Sequence, residues 1–161
     1  MEQKQHMDDA GLTQVVSFNL GQELFGIDIL GVQEINRVVE ITSLPDSPPA
    51  CEGIIDLRGK VIPVINLRTL FGLEHRNWDD DTRIVVCDIA GNMAGLLVDS
   101  VAEVLRISNH AIEPAPEMAT AAATHYIEGI AEINGRLLIL LDMNAIGRVT
   151  TGTLTDQGVV S

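Results

Sequence analysis

The feature that most constrains this chain is an internal repeat, in which one pattern of residues occurs twice. The segment that begins at Gly53 matches, without a gap, the segment that begins at Gly129, 76 positions later. Two glycines, an acidic residue, a basic residue and an apolar run coincide. Upstream, residues 25–35 match residues 94–104 more weakly, at an offset of 69. A duplication of this kind predicts two similar structural units.

Within each repeat the pattern is that of short β-strands. Apolar residues alternate with others over Val15–Leu20, and the chain turns at Gly21 and returns over Glu23–Ile29. Hydrophobic residues make up 46% of the chain and aromatic residues only 3%, a bias typical of strands packed on strands. The sequence therefore predicts a mainly β fold, with two small five-stranded barrel lobes of the OB or SH3 kind and a few short helices.

Two equivalent segments, Leu57–Lys60 and Ile133–Arg136, are predicted to be hairpin turns. Asn134-Gly135 suits the positive φ angles of a type I′ turn. Arg58, at the position equivalent to Asn134, suits a positive φ poorly, so its presence there requires another explanation.

Short helices are predicted after each apolar run. Leu67–Phe71 should end at Gly72 and Met143–Ile146 should end at Gly147, because glycine commonly follows the last helical residue. Pro63 lies within an apolar strand and cannot donate to a sheet ladder, so it indicates an edge strand or a bulge.

The ends of the chain lack this periodicity. Residues 1–13 and 150–161 are polar or small and are predicted to be flexible tails. Residues 14–149 are predicted to be a single domain, built from repeats at about 14–80 and 81–149. Each repeat is close to the lower size limit for independent stability, so we expect the two lobes to depend on each other.

Charge and hydropathy exclude several classes of partner. The net charge is −13, and the ten Lys and Arg residues are scattered, whereas binding of nucleic acid needs clustered cations. An anionic membrane surface would repel the chain, and the longest aliphatic run, Leu137–Leu141, is far shorter than a membrane span of roughly 18 residues. Cys51 and Cys87 give no disulfide framework. We therefore expect a cytoplasmic protein without direct membrane insertion.

No catalytic constellation can be recognised in the sequence. The four histidines lie in a predicted tail or in predicted loops and share no spacing. No zinc-protease, hydrolase, phosphate-loop or dinucleotide-binding motif occurs. The acidic residues that recur do so once per repeat, and need not approach each other as an acid–base pair would. The sequence thus predicts a non-enzymatic binding protein with no catalytic residues, metal site or cofactor.

An ordered series of motifs over roughly residues 15 to 148 resembles the CheW family and the related regulatory domain of the chemotaxis kinase CheA. The resemblance implies two barrel lobes that exchange strands. It also implies a non-catalytic adaptor that couples the cytoplasmic tips of methyl-accepting chemoreceptors to the CheA histidine kinase. The motifs are LFGIDI at 24–29, VQEI at 32–35, GIIDLRG at 53–59, VIPVINLR at 61–68, GLLVDSV at 95–101 and IEPAP at 112–116.

The same resemblance implies a groove between the lobes that receives the receptor helix. Small apolar walls suit a helix that lies in a groove. The alternative, that Val32 and Val101 are core residues at equivalent repeat positions, stays open. The matching residues are Ile29, Val32, Val98, Ser100 and Val101.

Four further residues match family positions linked to partner binding, by kinase or receptor: Glu34, Gly53, Arg58 and Gly59. Arg58 belongs to a segment that usually reads NLRG, and Asp56 here replaces the usual Asn. The alternative for Arg58 is an exposed turn charge, although Asn134 in the second repeat indicates that folding does not require Arg. Glu103 in the second repeat leaves a structural role for Glu34 equally open.

Two rival functions are compatible with the residues. One is a CheW-like adaptor of a parallel receptor–kinase pathway, for surface motility or second-messenger control. The other is a small-molecule-binding barrel, which would require a deep pocket between the lobes lined by convergent polar groups. The favoured reading places the chain in the cytoplasm, recruited to membrane-associated receptor arrays.

Overall fold

The computed structural model describes residues 11–115 and 125–149. The predicted tail at 150–161 and residues 1–10 lie outside these ranges. The described strands are β1 Leu12–Leu20, β2 Glu23–Asp28, β3 Val32–Arg37, β4 Cys51–Leu57, β5 Lys60–Asn66, β6 Arg83–Ile89, β7 Asn92–Val98, β8 Ser100–Ser108, β9 Ile127–Ile133 and β10 Arg136–Leu141. Helices cover Leu67–Leu70 and residues 143–149, and 3₁₀ turns cover Ile29–Gly31 and Asn109–Ala111.

The ten strands form two five-stranded sheets, as the sequence predicts. The first lobe has the strand order β8-β1-β2-β10-β9, and the second lobe has the order β3-β6-β7-β5-β4. Each lobe therefore combines the first two strands of one repeat with the last three strands of the other. The two repeats have exchanged their first hairpins, β1–β2 and β6–β7.

The exchanged hairpins are held by parallel pairing. β2 pairs with β10 in parallel, with Leu24 opposite Leu138, and β7 pairs with β5, with Gly95 opposite Val64. All other strand pairs in the described sheets are antiparallel. Neighbouring parallel strands cannot be joined by a tight turn, which is consistent with each parallel pair joining strands from different repeats.

A short bridge closes each sheet into a barrel. In the second lobe, Thr42 follows the edge strand β3 and exchanges two backbone hydrogen bonds, of 2.9 and 2.8 Å, with Ile54 on the opposite edge strand β4. In the first lobe, Glu113 follows β8 and pairs in the same way with Ile130 on β9. Both bridges satisfy edge groups that would otherwise be open to other strands.

The largest hydrophobic cluster contains residues from both lobes. Each barrel has a smaller interior cluster of six buried residues, such as Leu138 in the first lobe and Ile62 in the second. The shared cluster has sixteen buried members, and burial of a large aliphatic side chain contributes about 1.5–3 kcal/mol. The lobes are therefore stabilised mainly by contact with each other. The largest fully buried members of the shared cluster are Phe18, Leu20, Ile27, Ile65, Leu67, Leu96 and Ile146.

Both predicted hairpin turns are confirmed. Arg58 and Gly59 have φ angles of 53° and 87°, and Asn134 and Gly135 have φ angles of 53° and 82°. The first helix also ends as predicted, since Gly72 has a φ of 76° and its N–H donates to the carbonyl of Thr69.

Two predictions about individual residues are wrong. Pro63 is not on an edge strand, because β5 lies between β7 and β4, and the bulge of the β4–β5 ladder falls between Cys51 and Gly53 and not at Pro63. The parallel ladder begins only at Val64, so no donor is required at Pro63. Gly147 does not end the second helix, which continues over 143–149. A Cβ atom at Gly147 would lie 2.7 Å from Cγ2 of Ile89, so glycine there permits close packing of the helix on β6.

An ion-pair network joins the two lobes. Asp99, between β7 and β8, accepts hydrogen bonds from Arg68 Nη2 at 2.7 Å and Nε at 2.9 Å, and from Arg76 at 3.0 Å. The backbone N–H of Gly21, at the tip of the β1–β2 hairpin, donates to the same carboxylate at 2.7 Å. Burial alone would raise the pKa of Asp99, but the hydrogen bonds from Arg68 and Gly21 hold that pKa below its usual value.

We expect Asp99→Asn to lower the free energy of unfolding by about 2–3 kcal/mol at pH 7, because it leaves the largely buried Arg68 without its carboxylate. Asp99 has a lowered pKa in the fold, so its contribution is present above about pH 4 and lost as the pH falls through the folded pKa. Urea denaturation at pH 7 and pH 3 measures both effects. Asp80→Asn, an exposed control in the loop that carries Arg76, should change stability by less than about 0.5 kcal/mol.

Candidate partner-binding surfaces

The residues of the predicted groove lie at the two points where the chain crosses between lobes. Ile29 and Val32 belong to the connection from β2 in the first lobe to β3 in the second. Val98, Ser100 and Val101 belong to the connection from β7 in the second lobe to β8 in the first. The two connections are about 70 positions apart in sequence, and apolar residues of both pack on the shared core.

The groove residues do not all have the same role. Ile29, Val32 and Val101 are half-buried and pack against the shared core, so each keeps an exposed apolar surface. Val98 has only 1% of its surface exposed, so it belongs to the shared core and can support neighbouring residues but cannot contact a partner directly. Ser100 accepts a hydrogen bond of 3.0 Å from the Asn19 amide, which fixes its hydroxyl at the junction.

Leu30 was missed in the sequence reasoning. It lies in the 3₁₀ turn between Ile29 and Gly31, and 63% of its surface is exposed. The turn is held in place by Asp28, whose carboxylate accepts from the Leu30 N–H at 2.9 Å. An exposed leucine on a capped turn beside an apolar groove adds contact area there. Its place at the end of an apolar run is the sequence signal that could have indicated it.

Glu34 and Arg58, predicted as separate contact residues, form one ion pair. Arg58 Nη1 donates to Glu34 Oε1 at 3.3 Å, and Arg58 Nη2 makes a closer contact with Oε2. The hydrogen bond from Arg58 lowers the pKa of Glu34 below its usual value. The Arg58 side chain remains 71% exposed, against 25% for Glu34, so its guanidinium can still meet a partner.

The turn that carries Arg58 is held by Asp56. Its carboxylate accepts a hydrogen bond of 2.9 Å from the Gly59 N–H. An asparagine side chain supplies an equivalent acceptor, so the departure from the family's NLRG pattern preserves this turn. Asp56 thus compensates in part for the unfavourable positive φ of Arg58.

A cleft of about 310 Å³ adjoins the ion pair, at the end of the second barrel. On β5 and β3, two of the strands that line it, Val61 and Ile35 expose 65% and 41% of their surfaces, and neither was singled out from the sequence. Their repeat equivalents, Leu137 and Val104, are also exposed. In the sequence, an apolar residue at an outward-facing strand position is the signal that could have indicated Val61 and Ile35. The cleft is lined by Gln33, Glu34, Leu57, Arg58, Lys60, Ile62 and Met93.

A bulge in β3 separates the groove from the turn. Val32 lies opposite Cys87 and Glu34 lies opposite Val86, so Gln33 is an extra residue in the ladder. A bulge bends a strand and redirects the side chains that follow it. Val32 therefore packs on the shared core at the crossover, while Glu34, two residues later, lines the cleft at the barrel end.

Gly53 has a structural explanation. A Cβ atom there would lie 2.1 Å from the carbonyl oxygen of Thr42, within the bridge that closes the second barrel. Its repeat equivalent, Gly129, is similarly close to Ile112 and Glu113. Gly53 lies in β4, and we infer that it acts on partner binding only through the barrel's shape.

The described ranges contain neither a cluster of metal-ligating side chains nor a helix that could span a membrane. No group of three or more His, Cys, Asp and Glu side chains in residues 11–115 and 125–149 is arranged to hold a metal ion. No helix in those ranges is both long and apolar enough to cross a membrane.

Comparison with known proteins gives one consistent result. Residues 14–150 match the model of the CheW-like domain. The chain is 37% identical to the chemotaxis protein CheW of Klebsiella aerogenes, over 80% of this chain and 78% of that protein. It is 33% identical to the CheW of Helicobacter pylori, over 86% and 84% of the two chains. The crystal structure of the scaffolding protein TtCheW from Thermoanaerobacter tengcongensis matches with a TM-score of 0.76 and 43% identity, covering 81% of this chain and 88% of that one.

We expect Gly53→Ala to destabilise the fold by at least about 3 kcal/mol, because the added methyl group collides with a backbone carbonyl. Gly59→Ala is the matched control: nothing lies within 4 Å of its added Cβ, so only the strain of a positive φ, about 1 kcal/mol, should remain. Thermal denaturation of both variants measures the difference. Equal losses would show that the Thr42 contact is unimportant.

Proposed function

The chain belongs to the CheW-like domain family and is a scaffold of chemotaxis signalling, and we propose that it joins the cytoplasmic tips of methyl-accepting chemoreceptors to a CheA-type histidine kinase. The observation that supports this proposal is that one shared core carries exposed apolar surface at the lobe crossovers and an exposed Arg58 guanidinium at the end of the second barrel. The first surface is the apolar groove, and the second is the barrel end with the Glu34–Arg58 pair.

We assign the groove to the receptor. Chemoreceptor tips are helical in the family that the chain resembles, and a helix docks through apolar side chains spaced along one face. Ile29, Val32 and Val101 offer half-buried apolar surface for such a face, and exposed Leu30 extends it. Ser100 adds a small polar position where a helix backbone can approach closely.

We assign the second barrel end to the kinase. Arg58 presents an exposed guanidinium, and Val61 and Ile35 present exposed apolar surface. The adjacent cleft offers a concave surface that a partner side chain can enter. Interfaces whose energy is concentrated in a few residues commonly combine an arginine with buried apolar anchors. Gly59 supports this surface through the turn geometry.

The proposal places the chain in the cytoplasm, recruited to receptor arrays, and without catalytic activity of its own. Scaffolding needs only that both surfaces be occupied together, and the shared core keeps them in a fixed relation. A parallel receptor–kinase pathway would use the same surfaces, so the choice of pathway depends on which receptor binds. The small-molecule alternative requires a deep pocket between the lobes, whereas the cleft beside Arg58 lies at the end of the second barrel.

Val32→Asp should reduce recruitment of the kinase to receptor fragments at least tenfold, because a carboxylate would face the apolar side of the receptor helix. Leu30→Asp, at the exposed rim, should have a smaller effect in the same direction. Co-sedimentation of receptor cytoplasmic fragments, kinase and this protein measures recruitment. Val39→Asp, an exposed position outside the groove, is the control. Full recruitment by folded Val32→Asp, with folding checked by circular dichroism, would refute the groove assignment.

Arg58→Glu should weaken kinase binding about tenfold or more while leaving receptor binding and the fold intact. Calorimetric titration with each isolated partner separates the two interactions. The double variant Glu34→Arg/Arg58→Glu restores an internal ion pair with reversed charges. If Arg58 contacts the kinase, the double variant should remain defective. Recovery of kinase binding would instead mean that the ion pair between positions 34 and 58 is required, and not the guanidinium at position 58.

A further inference from the structure

A second cleft lies at the open end of the first barrel, away from the kinase-facing turn. Its volume is about 270 Å³, slightly below the range of roughly 300–1,000 Å³ for sites that enclose small molecules. That size suits one or two side chains. Apolar residues from the barrel interior form its floor, and Asp28 and Glu128 stand in its wall. The lining residues are Thr13, Val15, Gly26, Asp28, Asn109, Ile112, Glu128, Leu140 and Leu141.

The equivalent end of the second barrel is filled by the chain itself. Thr82 and Leu97 are the repeat equivalents of Thr13 and Asp28, and they line a space of only about 10 Å³. Arg76 and Trp78, from the loop that precedes β6, stand at this mouth, and Arg76 binds the Asp99 carboxylate at 3.0 Å. The mouth of the second barrel thus holds a guanidinium bound to a carboxylate, with an aromatic ring beside it. That carboxylate, Asp99, is the repeat equivalent of Leu30, so Asp28 and Glu128 occupy other positions at the mouth of the first barrel.

The first-lobe cleft has the carboxylates but no cation. No Lys or Arg lines it, and neither Asp28 nor Glu128 takes part in an ion pair with any residue in the described ranges. Burial, together with the nearby charges of Asp142 and Asp28, raises the pKa of Glu128 above its usual value. The local negative charge is therefore uncompensated.

The preceding part of this chain is a poor occupant by composition. The loop before β6 supplies Arg76 and Trp78, whereas residues 1–10 contain no arginine or aromatic residue and carry three acidic residues against one lysine. The net charge of residues 1–10 is negative, like that of the cleft, so the two repel each other. A segment from another protein, bearing a positive charge, is the better complement.

We propose that this cleft, defined by Asp28, Glu128 and the apolar floor of the first barrel, binds an arginine-bearing segment of a partner protein. The guanidinium forms an ion pair with Glu128 and with the free oxygen of Asp28, and an adjacent aromatic or aliphatic side chain covers Ile112 and Leu140. The site shares Asp28 with the capped turn that carries Leu30, but it uses neither the apolar groove side chains nor the kinase-facing turn, so it adds a third contact to the scaffold.

The test uses the full chain and a blocked tripeptide, Arg-Asn-Trp, which reproduces the sequence of residues 76–78. Titration followed by ¹⁵N–¹H correlation spectra should move the amide signals of Gly26, Ile112 and Glu128. The tripeptide Glu-Asn-Trp should bind at least fivefold more weakly, and Glu128→Gln should weaken the arginine peptide about fivefold to tenfold. Asp28→Asn, which retains an oxygen acceptor for Leu30, should act in the same direction.

Glu132→Gln is the matched control, since it removes one exposed carboxylate from the same strand outside the cleft. It should leave binding of the arginine peptide unchanged. Equal weakening by Glu132→Gln, equal binding of the two tripeptides, or signal changes away from the cleft would overturn the proposal. Binding only to a variant that lacks residues 1–10 would also overturn it, and would identify that segment as the occupant.

Discussion

The parallel pairing of exchanged strands is the interaction on which the rest of the molecule depends. Each barrel takes its first hairpin from the opposite repeat, and β2–β10 and β7–β5 are the only parallel contacts in the described sheets. Neither repeat can close a barrel alone. The exchange also forces the connections between β2 and β3 and between β7 and β8 to cross from one lobe to the other. The shared core, with Phe18 and Leu96 fully buried, follows from these crossings.

This arrangement explains where the contact surfaces lie. The groove residues Ile29 and Val101 sit at the crossings because a crossing connection packs one side on the shared core and leaves the other side open. Asp99 lies at the same junction, where Arg68 from the second lobe and the Gly21 N–H from the first meet on one carboxylate.

Local sequence patterns predicted whatever depends on short-range geometry. The hairpin at Asn134-Gly135 follows from two adjacent residues that tolerate positive φ, and the strands follow from alternation. Gly147 and Pro63 were misread because their roles come from distant elements: the Ile89 side chain on β6 and a ladder that begins one residue after the proline. The Arg68–Asp99 pair spans 31 positions. Nothing local indicates such a pair, nor that Val98 would be buried while Val101 stays half-exposed.

A duplicated fold provides its own control for separating folding from function. Gly53 and Gly129 both persist because a Cβ atom at either position would collide with the bridge that closes its barrel. Arg58 and Asn134 share a φ of 53°, which an asparagine tolerates and an arginine adopts at a cost of about 1 kcal/mol. The ion pair with Glu34 offsets part of the free-energy cost of the positive φ at Arg58, yet a hairpin with Asn at this position also forms in the first lobe. The strain at Arg58 is therefore not required for folding, and it is consistent with selection for the guanidinium that this turn exposes.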